Sequence, residues 1–164
     1  MPEKDGTHID YLKWISYFEK TVIPQLSEYQ DRCKFFVTKA GQYPYVYMSI
    51  EKSGYDKIVP KLEIRSRDCL PVSEQYPKRN INIRFLCYDM PETDVPQQQV
   101  LIEKIKQGGR FATKGMVQNR NGKEKYYPKQ IGYLDHVTVK DESAFIQKIK
   151  EYIGYYLELM QDWK

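Results

Sequence analysis

The sequence lacks what would anchor it in a membrane or staple it covalently. Its uncharged apolar runs, such as Tyr43 to Ile50, are a few residues long, against the roughly 20 that cross a bilayer, so no membrane span is predicted. Cysteine is scarce: Cys33, Cys69 and Cys87 are odd in number and widely separated, with no Cys-x-x-Cys pair. That excludes a fully paired disulfide framework or a zinc knuckle, and three reduced, partly buried thiols are expected. The start, Met-Pro-Glu-Lys-Asp-Gly, has neither the basic opening nor the apolar stretch of a signal peptide, so the expected location is cytoplasmic. There is no Gly-x-Ser-x-Gly elbow and no acid-rich calcium loop. The run from Gly108 to Gly115 contains glycines and a lysine but not the Gly-Lys-Ser/Thr order of a phosphate loop, and it reads as a helix stop. No cofactor or metal is implied.

What is present describes an ordinary globular chain. Apolar residues make up 41% of 164 and charged residues 29%, a composition that folds and a length that suits a single domain over 1–164. Tyrosine is the outlier, with 15 copies against 6 Phe and 2 Trp. A Tyr ring packs on apolar neighbours while its hydroxyl seeks a polar partner, so an aromatic surface is expected.

Periodicity supplies the elements. From Thr7 to about Gln30, Ile9, Leu12, Ile15, Phe18, Val22 and Leu26 share one helical face, with Thr7 and Asp10 as a start signal and Pro24 as a kink or break. Lys34 to Lys39, Tyr43 to Ile50 and Lys57 to Ser66 read as an antiparallel meander. In its third strand Leu62 and Ile64 face the core while Lys61, Glu63 and Arg65 face water, and Pro60 marks an edge or bulge. A loop over Arg67 to Asn80 precedes a fourth strand, Asn80 to Tyr88. A short helix then begins around Thr93-Asp94-Val95-Pro96 and stops at Gly108-Gly109. Two further strands, Arg110 to Gln118 and Lys123 to Tyr133, flank the hairpin signal Asn119-Arg120-Asn121-Gly122, and Leu134 to Val139 extends the sheet. Asp141 caps a last helix striped by Phe145, Ile149, Tyr152, Tyr156 and Met160, with Ile146, Ile153, Leu157 and Trp163 beside them. This order lacks a regular βαβ alternation. It predicts an α+β fold: a mostly antiparallel sheet with N-terminal and C-terminal helices packed on one face and a short central helix.

Charge is unevenly distributed. Residues 104–129 hold eight basic side chains and one acidic, about +7, inside a chain whose net charge is only +4. Arg110, Lys114, Arg120, Lys123, Lys125 and Lys129, interleaved with Tyr126 and Tyr127, form a candidate contact surface on the hairpin. Cations displace the counterions of a phosphate backbone and aromatic faces stack on unpaired bases. The expected function is therefore a non-catalytic binding protein that presents a basic, Tyr-containing hairpin to nucleic acid or to an acidic protein. A solvated basic tip that discourages edge-to-edge aggregation explains the same residues. A protein-protein inhibitor or accessory subunit is a further alternative.

Two fragments allow a small phosphodiesterase or nuclease instead. His136-Val137-Thr138 resembles one half of the paired His-x-Thr signature of the 2H phosphoesterases, but the second histidine, in His8-Ile9-Asp10, lacks its Thr. Asp56 with Glu63-Ile64-Arg65 resembles the Mg²⁺-holding core of restriction endonucleases. There Arg65 replaces the lysine, and a guanidinium stays protonated.

Overall fold

The computed structural model describes residues 11–39, 46–65, 79–81, 83–87, 90–111, 118–120, 126–128, 130–133, 137–139 and 141–164. The expected helix start at Thr7 and Asp10, most of the loop before residue 79, Cys69 and both histidines lie outside them. The first helix, α1 (Tyr11–Tyr17), widens into a π turn over Phe18–Val22 and tightens into a 3-10 stretch over Ile23–Tyr29. Pro24 accounts for the break: it has no N–H for a helical bond to the preceding turn, and the backbone leaves helical geometry at Leu26 (φ −104°, ψ 17°). The expected face is kept at Phe18, Val22 and Leu26, which are fully buried, and departs from the aliphatic spacing at Leu12. Leu12 is 79% exposed, whereas Trp14 and Phe18 are fully buried with ring centroids 5.6 Å apart. The larger aromatic areas take the core.

Five strands form the main sheet: β1 (Cys33–Lys39), β2 (Val46–Lys52), β3 (Lys61–Arg65), β5 (Ile83–Leu86) and β8 (Gln130–Tyr133), in that spatial order and antiparallel throughout. The expected fourth strand is divided. Its first part, β4 (Arg79–Ile81), begins one residue before the expected start at Asn80 and pairs with β9 (Val137–Val139). A third ladder joins β6 (Gln118–Arg120) to β7 (Tyr126–Pro128). One prediction for β3 fails: Glu63 is 3% exposed and does not face water. It sits in register between Ser49 and Arg84, and Arg65 Nε donates to its Oε1 at 2.5 Å. A carboxylate tolerates such burial because a cation and a hydrogen bond replace the lost water.

The helices α2 (Val95–Gly108) and α3 (Glu142–Leu159) cover the face bearing Phe85, so the α+β class holds. The central helix runs 14 residues between the expected start and stop. Pro96 stands in its first turn, but Asp94 makes no side-chain cap and instead pairs with Lys57 Nζ at 2.8 Å. Its stop is as expected: Gly109 adopts φ 67°, the left-handed region, and donates its N–H to the Ile105 carbonyl. In α3 the expected stripe is buried from Phe145 to Met160, and the Asp141 carboxylate accepts from the Ala144 N–H at 2.8 Å.

The tyrosines whose side chains are described serve packing more than surface. Tyr17, Tyr152, Tyr155 and Tyr156 are buried, and hydroxyls fasten α3 to its surroundings. Tyr156 donates to the Pro60 carbonyl at 2.6 Å, Tyr152 to the Arg110 carbonyl at 2.9 Å, and Tyr29 to the Lys150 carbonyl at 3.3 Å. Each ring supplies packing area while its hydroxyl finds a backbone carbonyl as a partner.

Candidate functional site

Helix α2 ends within the basic segment. Arg110, expected in a strand, lies instead in the bend after Gly109, and Phe111 beside it is buried. Gly132 makes this possible. It pairs with Phe85 in the sheet, and a Cβ there would lie 3.0 Å from the Cβ of Phe111 and 3.5 Å from a methyl of Ile105. Phe111 thus roots the segment in the core through rings: Tyr155 stacks on it with centroids 5.6 Å apart and 21° between planes, and Tyr152 meets it edge-on at 4.8 Å.

Rooting Phe111 fixes Arg110. Its carbonyl accepts from the Tyr152 hydroxyl, and its guanidinium lies 4.9 Å from the Tyr155 ring centroid, within cation–π range. Among the described residues no carboxylate pairs with that guanidinium. The result is an exposed cation, oriented by an aromatic ring, with its donors open to solvent. It borders a groove of about 330 Å³ completed by Lys148, Glu151, Tyr152 and Tyr155. Lys148 Nζ meets Glu151 Oε2 at 2.9 Å on the groove wall. A wider depression of about 620 Å³ shares Arg110, Glu151 and Tyr155 and adds Glu28 and Glu158. Burial, opposed in part by Arg110, pushes Tyr152 up to about 12 and raises Tyr155 as well, so both phenols stay neutral at physiological pH.

Of the eight expected contact residues, Arg110 is the one whose side chain is described. Arg120 and Tyr126 are directly paired in the β6–β7 ladder, and Tyr127 pairs with Asn119; their side chains lie outside the described residues, as do Lys114, Lys123, Lys125 and Lys129 altogether. The hairpin exists, with its turn displaced: Asn119 and Arg120, expected in the turn, are ladder residues, and residues 121–125 connect the strands. The strand expected from Lys123 to Tyr133 is two, β7 in the hairpin and β8 in the main sheet. Pro128, which has no N–H to give, is the last residue of β7. Lys148, Glu151, Tyr152 and Tyr155 were not singled out as site residues. Their signal was position: they line the margin of the α3 stripe at helical spacing, where a polar or half-polar side chain meets whatever packs beside the helix.

Among the described residues the catalytic fragments gain no constellation. Glu63 is occupied by Arg65, Asp56 is exposed in the bend after β2, and His136 lies outside the described residues, while Thr138 pairs with Asn80 in the β4–β9 ladder. Among the described residues no group of three His, Cys, Asp or Glu could hold a metal, and no helix is long and apolar enough to cross a membrane. Cys33 and Cys87 are free and buried, and burial lifts the Cys33 thiol to about 11. Such a thiol is a poor nucleophile. No protein family, curated protein or solved structure matches the chain.

Proposed function

We propose that the protein binds single-stranded nucleic acid without catalysis, in the cytoplasm, using the basic hairpin and the oriented Arg110 at its root. The observation that carries this reading is the Arg110 guanidinium, exposed, held on Tyr155 and free of a carboxylate among the described residues, inside the +7 segment of the sequence. The β6–β7 ladder supports it, being hydrogen-bonded as a sheet of its own and not as a strand pair of the main sheet. Cations along such a hairpin neutralise phosphates and tyrosines stack on bases.

Titration of a labelled oligothymidylate at several salt concentrations tests the reading. The logarithm of affinity should fall linearly with the logarithm of salt, by about 0.7 for each phosphate neutralised. Replacing Arg120, Lys123 and Lys125 together by Ala should weaken binding at least tenfold and flatten the slope by about 2. Unchanged affinity in that variant would remove the hairpin from the function. Binding to polyglutamate with no oligonucleotide binding would favour an acidic protein partner.

A further inference from the structure

We infer that the groove between Arg110 and α3 receives one unpaired nucleobase and accepts guanine best, an inference that rests on the nucleic-acid reading above. Three observations converge. First, Arg110 is fixed over Tyr155, which itself stacks on Phe111. A guanidinium held in this way stacks a base on its solvent side while its in-plane N–H groups remain free for a neighbouring phosphate. Second, the groove holds about 330 Å³, at the lower end of the roughly 300–1,000 Å³ typical of small-ligand sites and suited to a base, not a folded domain. Third, its wall places a donor next to an acceptor: Lys148 Nζ and Glu151 Oε2 are 2.9 Å apart, and Glu151 Oε1 has no partner among the described residues.

Adenine and cytosine each set one donor beside an acceptor, whereas guanine sets two donors beside one and so matches that pair most fully. Guanine presents an acceptor, O6, beside two donors, N1–H and N2–H, so O6 meets Lys148 and the two donors meet Glu151. Thymine and uracil present one N–H between two carbonyl oxygens, and a carboxylate opposite that edge repels the carbonyls. Glu151 thus gives the groove a preference among neutral bases. Neutral Tyr152 and Tyr155 add no charge to the site.

The test compares a dye-labelled dT15 with the same oligonucleotide carrying a single central guanine, by fluorescence anisotropy on the full chain at fixed salt. The guanine-containing strand should bind about tenfold tighter, the discrimination of one well-placed polar edge contact. Glu151→Ala should bring the two strands within twofold of each other while leaving affinity for dT15 intact or slightly raised. Glu19→Ala, which removes an equal charge from the exposed surface of the π turn, should keep the preference. Equal affinity of the wild type for both strands, with salt-dependent binding retained, overturns the base site and leaves the hairpin reading standing. A guanine preference that survives Glu151→Ala also overturns this assignment. Failure to bind either strand overturns both readings.

Discussion

At the scale of single residues, the fold depends on polar atoms brought to places the sequence pattern does not mark. Tyr156 is the sharpest case. Its ring is fully buried edge-on to Phe85, and its hydroxyl donates to the Pro60 carbonyl at 2.6 Å while accepting from the Lys52 N–H at 2.9 Å. One atom therefore satisfies both the strand entry at β3 and the end of β2. Tyr156→Phe keeps the packing and strands two backbone groups, each costing about 1–3 kcal/mol when buried and unpaired. The expected result is a loss of roughly 3 kcal/mol, seen as a lower urea midpoint with an unchanged slope. Tyr55→Phe is the internal comparison. That hydroxyl also donates to a carbonyl, of Trp163 at 2.7 Å, but Tyr55 is half-buried and its hydroxyl ties one backbone group where that of Tyr156 ties two, so the loss should be about 1 kcal/mol or less. Equal losses in the two variants would show that the hydroxyl of Tyr156 is not the tie described here.

At the scale of elements, α3 organises the molecule: it buries one stripe against the sheet, collects the tyrosine ties and forms one wall of the groove. Its start is set by Asp141, whose extended backbone and carboxylate bond to the Ala144 N–H satisfy a donor the helix itself leaves open. Asp141→Ala should cost about 1 kcal/mol and Asp141→Asn a few tenths, since an amide oxygen caps as well. Indistinguishable denaturation curves for wild type and the Ala variant would assign the start of α3 to packing alone. This helix was legible because cap, period and stripe all lie within one stretch of chain. The hairpin was legible in part: Asn-Gly located a reversal, but the ladder partners and the missing N–H of Pro128 decide where the strands begin and end. Least legible was the groove. Arg110 announces itself as a cation, yet the contact that orients it comes from α3, 42 residues along the chain through the Tyr152 bond, and no local pattern carries that pairing. The burial of Glu63 escaped for a related reason: alternation assigns residues to two faces of a strand without saying whether the second face is covered.

At the scale of the whole molecule, the same economy of tyrosines and thiols sets how the fold responds to pH. Burial raises the ionisation of Tyr29, Tyr152, Tyr155 and Tyr156, and it lifts the Cys33 thiol from 9.0 to about 11 and Tyr152 from 10.0 to about 12. In every case the folded protein holds its proton more tightly than the unfolded chain. Below pH 9 both states keep these protons and the full stability is present. Between the unfolded and folded values the unfolded chain ionises first, so each unit of pH draws the equilibrium toward unfolding. The urea midpoint should therefore decline steadily from about pH 9 to pH 12, with loss of near-ultraviolet tyrosine dichroism in the same window. Cys33→Ser and Tyr152→Phe locate the source: each removes one titrating group, so each should shallow the decline even where it lowers stability at neutral pH. A midpoint flat to pH 12 in the wild type would mean that these groups are as open to water as in the unfolded chain, and the buried, tyrosine-tied core on which the Arg110 groove rests would have to be redrawn.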